Sequence, residues 1–150
     1  MPDHETYMRL ALDEAGLAIA AGEVPVGAVM VHDGKVIAAC HNLRETTFDP
    51  TAHAEMLALR EAARILSTRR LSGCTLYVTL EPCPMCAGAI VMAQVDACFF
   101  AAYDRQQGCC GSVYDIPQDP AFYHRTRIVG GILEEEAKVL LRDFFATKRC

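Results

Sequence analysis

No apolar run in this 150-residue chain is long enough to cross a bilayer. The longest, such as Val24–Val31 and Ala97–Tyr103, fall well short of the ~20 residues a span needs. There is no internal repeat, low-complexity tract or linker-like stretch, so one domain over residues 1–150 is expected. The first residues, Met1-Pro-Asp-His-Glu5, lack a basic stretch followed by an apolar one. They do not read as a signal peptide, and the cytoplasm is the expected compartment. Nor is there an excess of positive charge. Fourteen basic and 19 acidic residues give a formal net charge of -5, opposite in sign to the usual nucleic-acid-binding surface. The charge is uneven: residues 1–23 sum to -4, while residues 120–150 sum to +2.

What is present fits a globular protein. Fifty-two per cent of the residues are apolar and 22% charged, and the length suffices to bury a core without covalent staples. The eight cysteines are then expected to be free, metal-bound or catalytic, as befits a reducing compartment.

Met8, Ala11, Leu12, Ala15 and Ile19 fall at helical spacing, and Gly22 stops that first helix. Val24–Val31 reads as a strand covered on both faces. Asp33-Gly34 signals a hairpin turn, with Lys35–Cys40 as the second strand. Asn42–Pro50 reads as a loop. Ala52, Met56, Leu59, Ala63 and Leu66 mark a second helix, with Asp49 or Thr51 as its cap. Thr75–Leu80 is a third strand, and Pro84 suits the first turn of a helix reaching about Ala93. Ala97–Ala102 and Ile128–Val129 are further strands, separated by a long loop over Gln106–Tyr123 that holds room for a helical turn. Leu133, Ala137, Leu140 and Phe144 give the core stripe of a last helix, opened by Glu134–Glu136 and closed by Lys148 and Arg149. A hairpin followed by strands and helices in alternation predicts a mixed sheet with helices on its faces.

The chemistry concentrates in two short segments. Cys83-Pro84-Met85-Cys86 follows a predicted strand, and His53-Ala54-Glu55 stands 30 residues upstream of the first cysteine. Two thiolates and an imidazole suit zinc, and three protein ligands leave the open position that a catalytic site keeps for water. Glu55 fits a proton carrier better than a fourth ligand. Other readings of the same residues are a redox pair and a structural zinc site that recruits Cys98, Cys109 or Cys110. His32 and His41, at strand ends, read as structural or solvent-facing.

H-x-E followed by P-C-x-x-C is the signature of zinc nucleobase deaminases, and here it is Thr51-Ala-His-Ala-Glu55 with Glu81-Pro-Cys-Pro-Met-Cys86. The chain resembles the cytidine deaminase superfamily and, more narrowly, the bacterial tRNA adenosine deaminase family. The supporting segments include Glu23-Val-Pro-Val-Gly-Ala28, Thr75–Cys83, Met85–Ala89, His124-Arg125 and Asp143-Phe-Phe145, in the family's order. The resemblance implies a three-layer α/β/α fold with a mixed sheet of about five strands. It implies deamination of the wobble adenosine in a tRNA anticodon stem-loop, in a homodimer with one zinc ion per subunit. By position, His53, Cys83 and Cys86 would hold zinc, and Glu55 would shuttle the proton. Asn42, the Ala54 N–H and Val26 would meet the flipped nucleotide. Asp104 and Arg105 lie in a stretch resembling a loop near the RNA, and His124, Arg125 and Phe145 are further candidate contacts. Arg127, Arg142 and Arg149 are candidate phosphate contacts. Two alternatives stand beside this: a deaminase of a free base or nucleoside (guanine, cytosine or cytidine), and a non-catalytic zinc-stabilised binding module.

Overall fold

The computed structural model describes residues 3–148. Five strands, β1 (Gly27–His32), β2 (Lys35–His41), β3 (Cys74–Leu80), β4 (Ala97–Ala102) and β5 (Arg127–Val129), form one sheet in the order β2-β1-β3-β4-β5. β1 runs antiparallel to both its neighbours, while β3, β4 and β5 run parallel. The helices are α1 (His4–Ala20), α2 (Arg44–Thr47), α3 (Ala54–Leu66), α4 (Pro84–Ala93) and α5 (Glu134–Lys148).

The two-residue period of the strands builds three layers. Ala28, Met30, Leu76, Val78, Cys98 and Phe100 pack in one core with residues of α3 and α4, including Ala58, Leu59 and Ile90. Val29, Val31, Tyr77 and Phe99 pack in the other, with Met8, Ala11 and Leu12 of α1 and Ala137 of α5. Each central strand is therefore buried on both faces, as its near-continuous apolar sequence predicts. This is the expected α/β/α architecture.

Local signals explain most boundaries. Asp33 and Gly34 both take positive φ, 51° and 73°, as a type I′ hairpin turn requires. Asp3 caps α1 by accepting from the Thr6 N–H at 2.9 Å. Pro84 sits at the start of α4, where its missing N–H costs nothing.

Other boundaries differ from the sequence reading. β1 begins at Gly27 and not Val24; Pro25 has no N–H to give a ladder, and the Val26 N–H turns back to the Val24 carbonyl at 2.8 Å. Ile19 is 41% exposed, and Ala18 takes its place in the core. The expected loop 42–50 contains the single turn α2. α3 is preceded by His53 as its N-cap residue, not Asp49 or Thr51. Asp49 instead accepts from the Thr51 N–H and hydroxyl, at 2.8 and 2.7 Å. The long loop holds a 3-10 turn at Ile116–Gln118. The closing charges expected of α5, the Lys148 side chain and Arg149, lie outside the described residues, as does Cys150.

α1 lies very close to the start of β1. A Cβ on Gly27 would stand 2.0 Å from the Ala11 carbonyl oxygen and 2.6 Å from the Ala15 nitrogen. Both are backbone atoms, which cannot swing aside. Gly27→Ala should destabilise the fold by about 2 kcal/mol or more, read as a lowered midpoint of chemical unfolding. A change of a few tenths would mean that α1 docks less tightly than described.

Candidate active site

The site lies beyond the carboxyl ends of β3 and β4, where open α/β sheets place their ligands. β3 ends at Leu80, and Pro82 and Pro84 turn the chain straight into α4. Cys83 is the N-cap residue of α4 (φ -75°, ψ 177°), and Cys86 lies in its first turn. His53 is the N-cap residue of α3 (φ -72°, ψ 150°). Because His53 stands outside the helix and Glu55 inside it, the two can approach one centre.

The His53 Nδ1 lies 3.7 Å from the Cys83 sulfur and 3.6 Å from the Cys86 sulfur. The three ligand atoms fall within 4.8 Å of one another. Among the described residues this is the one group of three or more His, Cys, Asp or Glu side chains that could hold a metal ion. Cys98, Cys109 and Cys110 do not join it, so a four-ligand site built with one of them is not formed. His41 faces Glu14 at 3.1 Å, and His32 faces Asp33 at 3.6 Å. Two sulfurs and one nitrogen suit zinc, and three is the number of protein ligands in catalytic zinc sites.

The electrostatics favour the metal-binding form of one ligand, the Cys83 thiolate. A hydrogen bond from Cys86, and then one from His53, brings the Cys83 thiol down to about 4 against the cost of its burial. The N-terminal ends of two helices add positive potential there. The hydrogen bond to Cys83 raises the His53 pKa, and the one between the two cysteines, with burial, pushes the Cys86 thiol up, so a metal ion displaces a proton from each on binding. Glu55, in the first turn of α3, is buried. Burial pushes its carboxyl up to about 7, as expected of a proton carrier working near neutrality.

Val26, Asn42, His53, Glu55, Cys83, Asp104 and Phe145 line one cavity of about 250 Å³. That lies below the ~300 Å³ lower end of typical small-molecule pockets and suits one flat base. Ala54 departs from the sequence reading: its N–H donates to the Asn42 Oδ1 at 2.8 Å, so it orients Asn42 instead of facing the cavity. Arg105 lies outside this cavity, on the wall of two adjoining ones of about 440 and 660 Å³. His124 and Arg125 are not brought to the site. The His124 Nε2 lies 2.9 Å from the Val95 carbonyl oxygen, just before β4. The six residues of β4, about 20 Å of strand, separate that point from Asp104.

Val24, Arg44, Leu80, Glu81 and Gln107 also line the cavity and were not read from the sequence as site residues, nor was Glu23, which stands behind its rim. Arg44 of α2 lines the cavity beside Asn42. Glu81 and Glu23 are buried carboxylates. Glu81 accepts from the Asp104, Cys110 and Ser112 N–H groups at 3.0, 3.0 and 2.9 Å and from the Ser112 hydroxyl at 2.5 Å. Glu23 accepts from the Glu45 N–H at 3.2 Å and from the Thr46 N–H and hydroxyl, both at 2.6 Å. Burial would raise the Glu23 pKa, but these bonds outweigh it and hold the carboxyl below its ordinary value. The available signal was an acidic residue abutting an apolar strand: Glu23 before Val24, and Glu81 after Leu80.

Residues 1–102 match the cytidine and deoxycytidylate deaminase zinc-binding region. The chain belongs to that family of zinc-binding deaminases. It is 50% identical to a tRNA-specific adenosine deaminase of Bacillus subtilis over 149 residues, which is 99% of this chain and 92% of the relative. A solved structure from studies of A-to-I editing by tRNA:A34 deaminases superposes with a TM-score of 0.87 at 41% identity, covering 90% of this chain and 98% of the other. A guanine deaminase structure from Nitrosomonas europaea shares the fold at a TM-score of 0.84 and 26% identity, covering 97% of this chain and 86% of the other.

Glu55 also gives a pH signature. Its carboxyl rises from the usual 4.5 to about 7 in the folded chain. Between those values the folded state keeps a proton that the unfolded chain releases, so stability falls as pH rises. In metal-free protein, Glu55→Gln should therefore be nearly neutral at pH 4 and stabilising by up to about 3 kcal/mol at pH 8, measured by urea unfolding. An unchanged pH profile in the variant would contradict the burial argument.

Proposed function

We propose that this protein hydrolytically deaminates the wobble adenosine of a tRNA anticodon to inosine, using one zinc ion per chain. The observation that carries this reading is the 50% identity to a tRNA-specific adenosine deaminase over 99% of the chain. That stretch takes in every loop around the cavity, whereas guanine deaminase structures match either at 26% identity over 97% of the chain or at 45% identity over only 68% of it. His53, Cys83 and Cys86 hold the zinc. When bound, zinc supplies the Lewis acidity that makes water a usable nucleophile near pH 7.

The remaining work falls to this chain's own side chains. The target base leaves its stack to reach a cavity sized for one base. Asn42, its carbonyl oxygen fixed by the Ala54 N–H, presents its amide to the nucleotide. Val26 and Phe145 give apolar contact, and Asp104 bounds the opposite wall. Glu55 accepts one proton from the attacking water and delivers it to adenine N1, then carries that water's second proton to the leaving amine. The water oxygen bonds to C6, the bond from C6 to the exocyclic amine breaks, ammonia departs, and the oxygen stays on C6 as a carbonyl.

The -5 net charge makes RNA binding a local affair of Arg44 and Arg105 beside the cavity. Arg125, Arg127 and Arg142 contribute phosphate contacts further out, on a positive C-terminal region. The reading includes a single domain, a cytoplasmic location and a homodimer. Among the described residues, no helix is long and apolar enough to cross a membrane.

Incubation with an anticodon stem-loop carrying adenosine at the wobble position should yield inosine, read by mass analysis of the digested RNA. Deamination of free guanine or cytidine alone would overturn the assignment. Glu55→Ala should keep its zinc and lose at least ~100-fold in rate. Retained activity would remove Glu55 from the mechanism. Stem-loop affinity should fall with salt at a log–log slope of about -0.7 for each phosphate contacted.

A further inference from the structure

We propose that Glu23 and Glu81 are positioning residues that hold the two lips of the catalytic cavity in a preformed shape. They thereby set how tightly the RNA around the target base is gripped. The inference rests on the function proposed above, and neither carboxylate takes part in the chemistry described there.

The first lip lacks packing of its own, and the second reaches the core through Cys109 and Cys110 alone among its hydrophobic side chains. α2 is four residues long, with no buried residue and no side-chain cap on its N-terminus. So short a helix does not hold itself together. What ties its first turn to the protein is the Glu23 carboxylate, only 1% exposed, bound to two α2 backbone N–H groups and the Thr46 hydroxyl. α2 in turn carries Arg44 to the cavity rim.

The opposite lip is the loop over residues 103–112, which brings Asp104 and Gln107 to the cavity. It has no regular structure beyond a turn and a single bridge. Glu81, 2% exposed, gathers three of its N–H groups and a hydroxyl. The carboxylate fills the space a side chain would need at Gly108, where a Cβ would stand 2.3 Å from the Glu81 carboxyl carbon. The loop is thus threaded around the carboxylate. Glu81 also stands two residues before Cys83, so one side chain couples the metal-binding turn to the far wall.

The donor count predicts the size of each effect. Each Glu81 oxygen takes two donors, and three of the four are backbone N–H groups, which cannot accept. A glutamine there strands at least one backbone N–H whichever way the amide faces, because only the Ser112 hydroxyl can turn to accept. At Glu23 a glutamine likewise strands one backbone N–H, that of Glu45 or that of Thr46.

The test uses zinc-loaded protein and a wobble-adenosine stem-loop, with Glu81→Gln, Glu23→Gln and Ser112→Ala. Ser112 supplies two of the Glu81 bonds and lies outside the metal-binding turn. Hydrogen exchange should accelerate about tenfold or more at Cys110 and Ser112 in Glu81→Gln, and at Glu45 and Thr46 in Glu23→Gln, with the sheet unchanged. KM should rise by a similar factor, about tenfold, in Glu81→Gln and Glu23→Gln, and by less in Ser112→Ala, which leaves every backbone N–H paired. The fall in kcat should be under about threefold, with zinc content unaltered. The Glu81→Gln, Ser112→Ala double variant should be less impaired than the product of the two singles. Unchanged exchange at these amides would overturn the proposal. So would a kcat loss with KM unmoved, or zinc loss in Glu81→Gln while Ser112→Ala is silent. If the wild-type protein makes no inosine, the functional reading fails, and the exchange measurement still decides whether the carboxylates hold the loops.

Discussion

Two helices begin at the same point in space, and the rest of the site depends on that. His53 ends the segment leading into α3, Cys83 ends the segment leading into α4, and their ligand atoms stand 3.7 Å apart. Neither helix has a side-chain cap. Their N-terminal partial charges therefore converge on the ligands, where they favour thiolate over thiol. Glu55 sits in the same positive region, yet burial wins and lifts its carboxyl to about 7. One location thus supplies a soft metal-binding set and a carboxyl able to exchange a proton near neutral pH.

The sheet makes this convergence possible. β1 and β3 are buried on both faces and fix the axes on which α3 and α4 are laid. The parallel β3–β4 pair sends both chain ends out on one side, where the cavity opens. Of the flanking segments, α2 buries no residue and the 103–112 loop reaches the core through Cys109 and Cys110, and buried carboxylates fasten the backbone of both. Such groups are worth keeping only when every lone pair and every donor is matched, and Glu81 meets that condition with four bonds.

Much of this could be read in the sequence, for identifiable reasons. The five strands, the Asp33-Gly34 turn and the Pro84 helix start rest on local rules and are all present, with β1 shortened to begin at Gly27 and not Val24. His53, Cys83 and Cys86 were legible because metal chemistry demands a particular residue set and spacing. Glu23 and Glu81 were not, because their role depends on backbone N–H groups more than 20 residues away along the chain. α2 was hidden because it is held by a distant carboxylate and not by helix propensity. His124 and Arg125 stand in a segment supporting the family resemblance, but the fold carries them to the opposite end of β4. Spacing along a chain does not report that separation.

The central claim is that two helix starts create a three-ligand zinc site with one position open. X-ray absorption at the zinc edge of the loaded protein tests it directly. The account predicts two sulfur neighbours and two lighter ones, one of which is exchangeable water. Three or four sulfur neighbours, bringing Cys98, Cys109 or Cys110 to the metal, would contradict it.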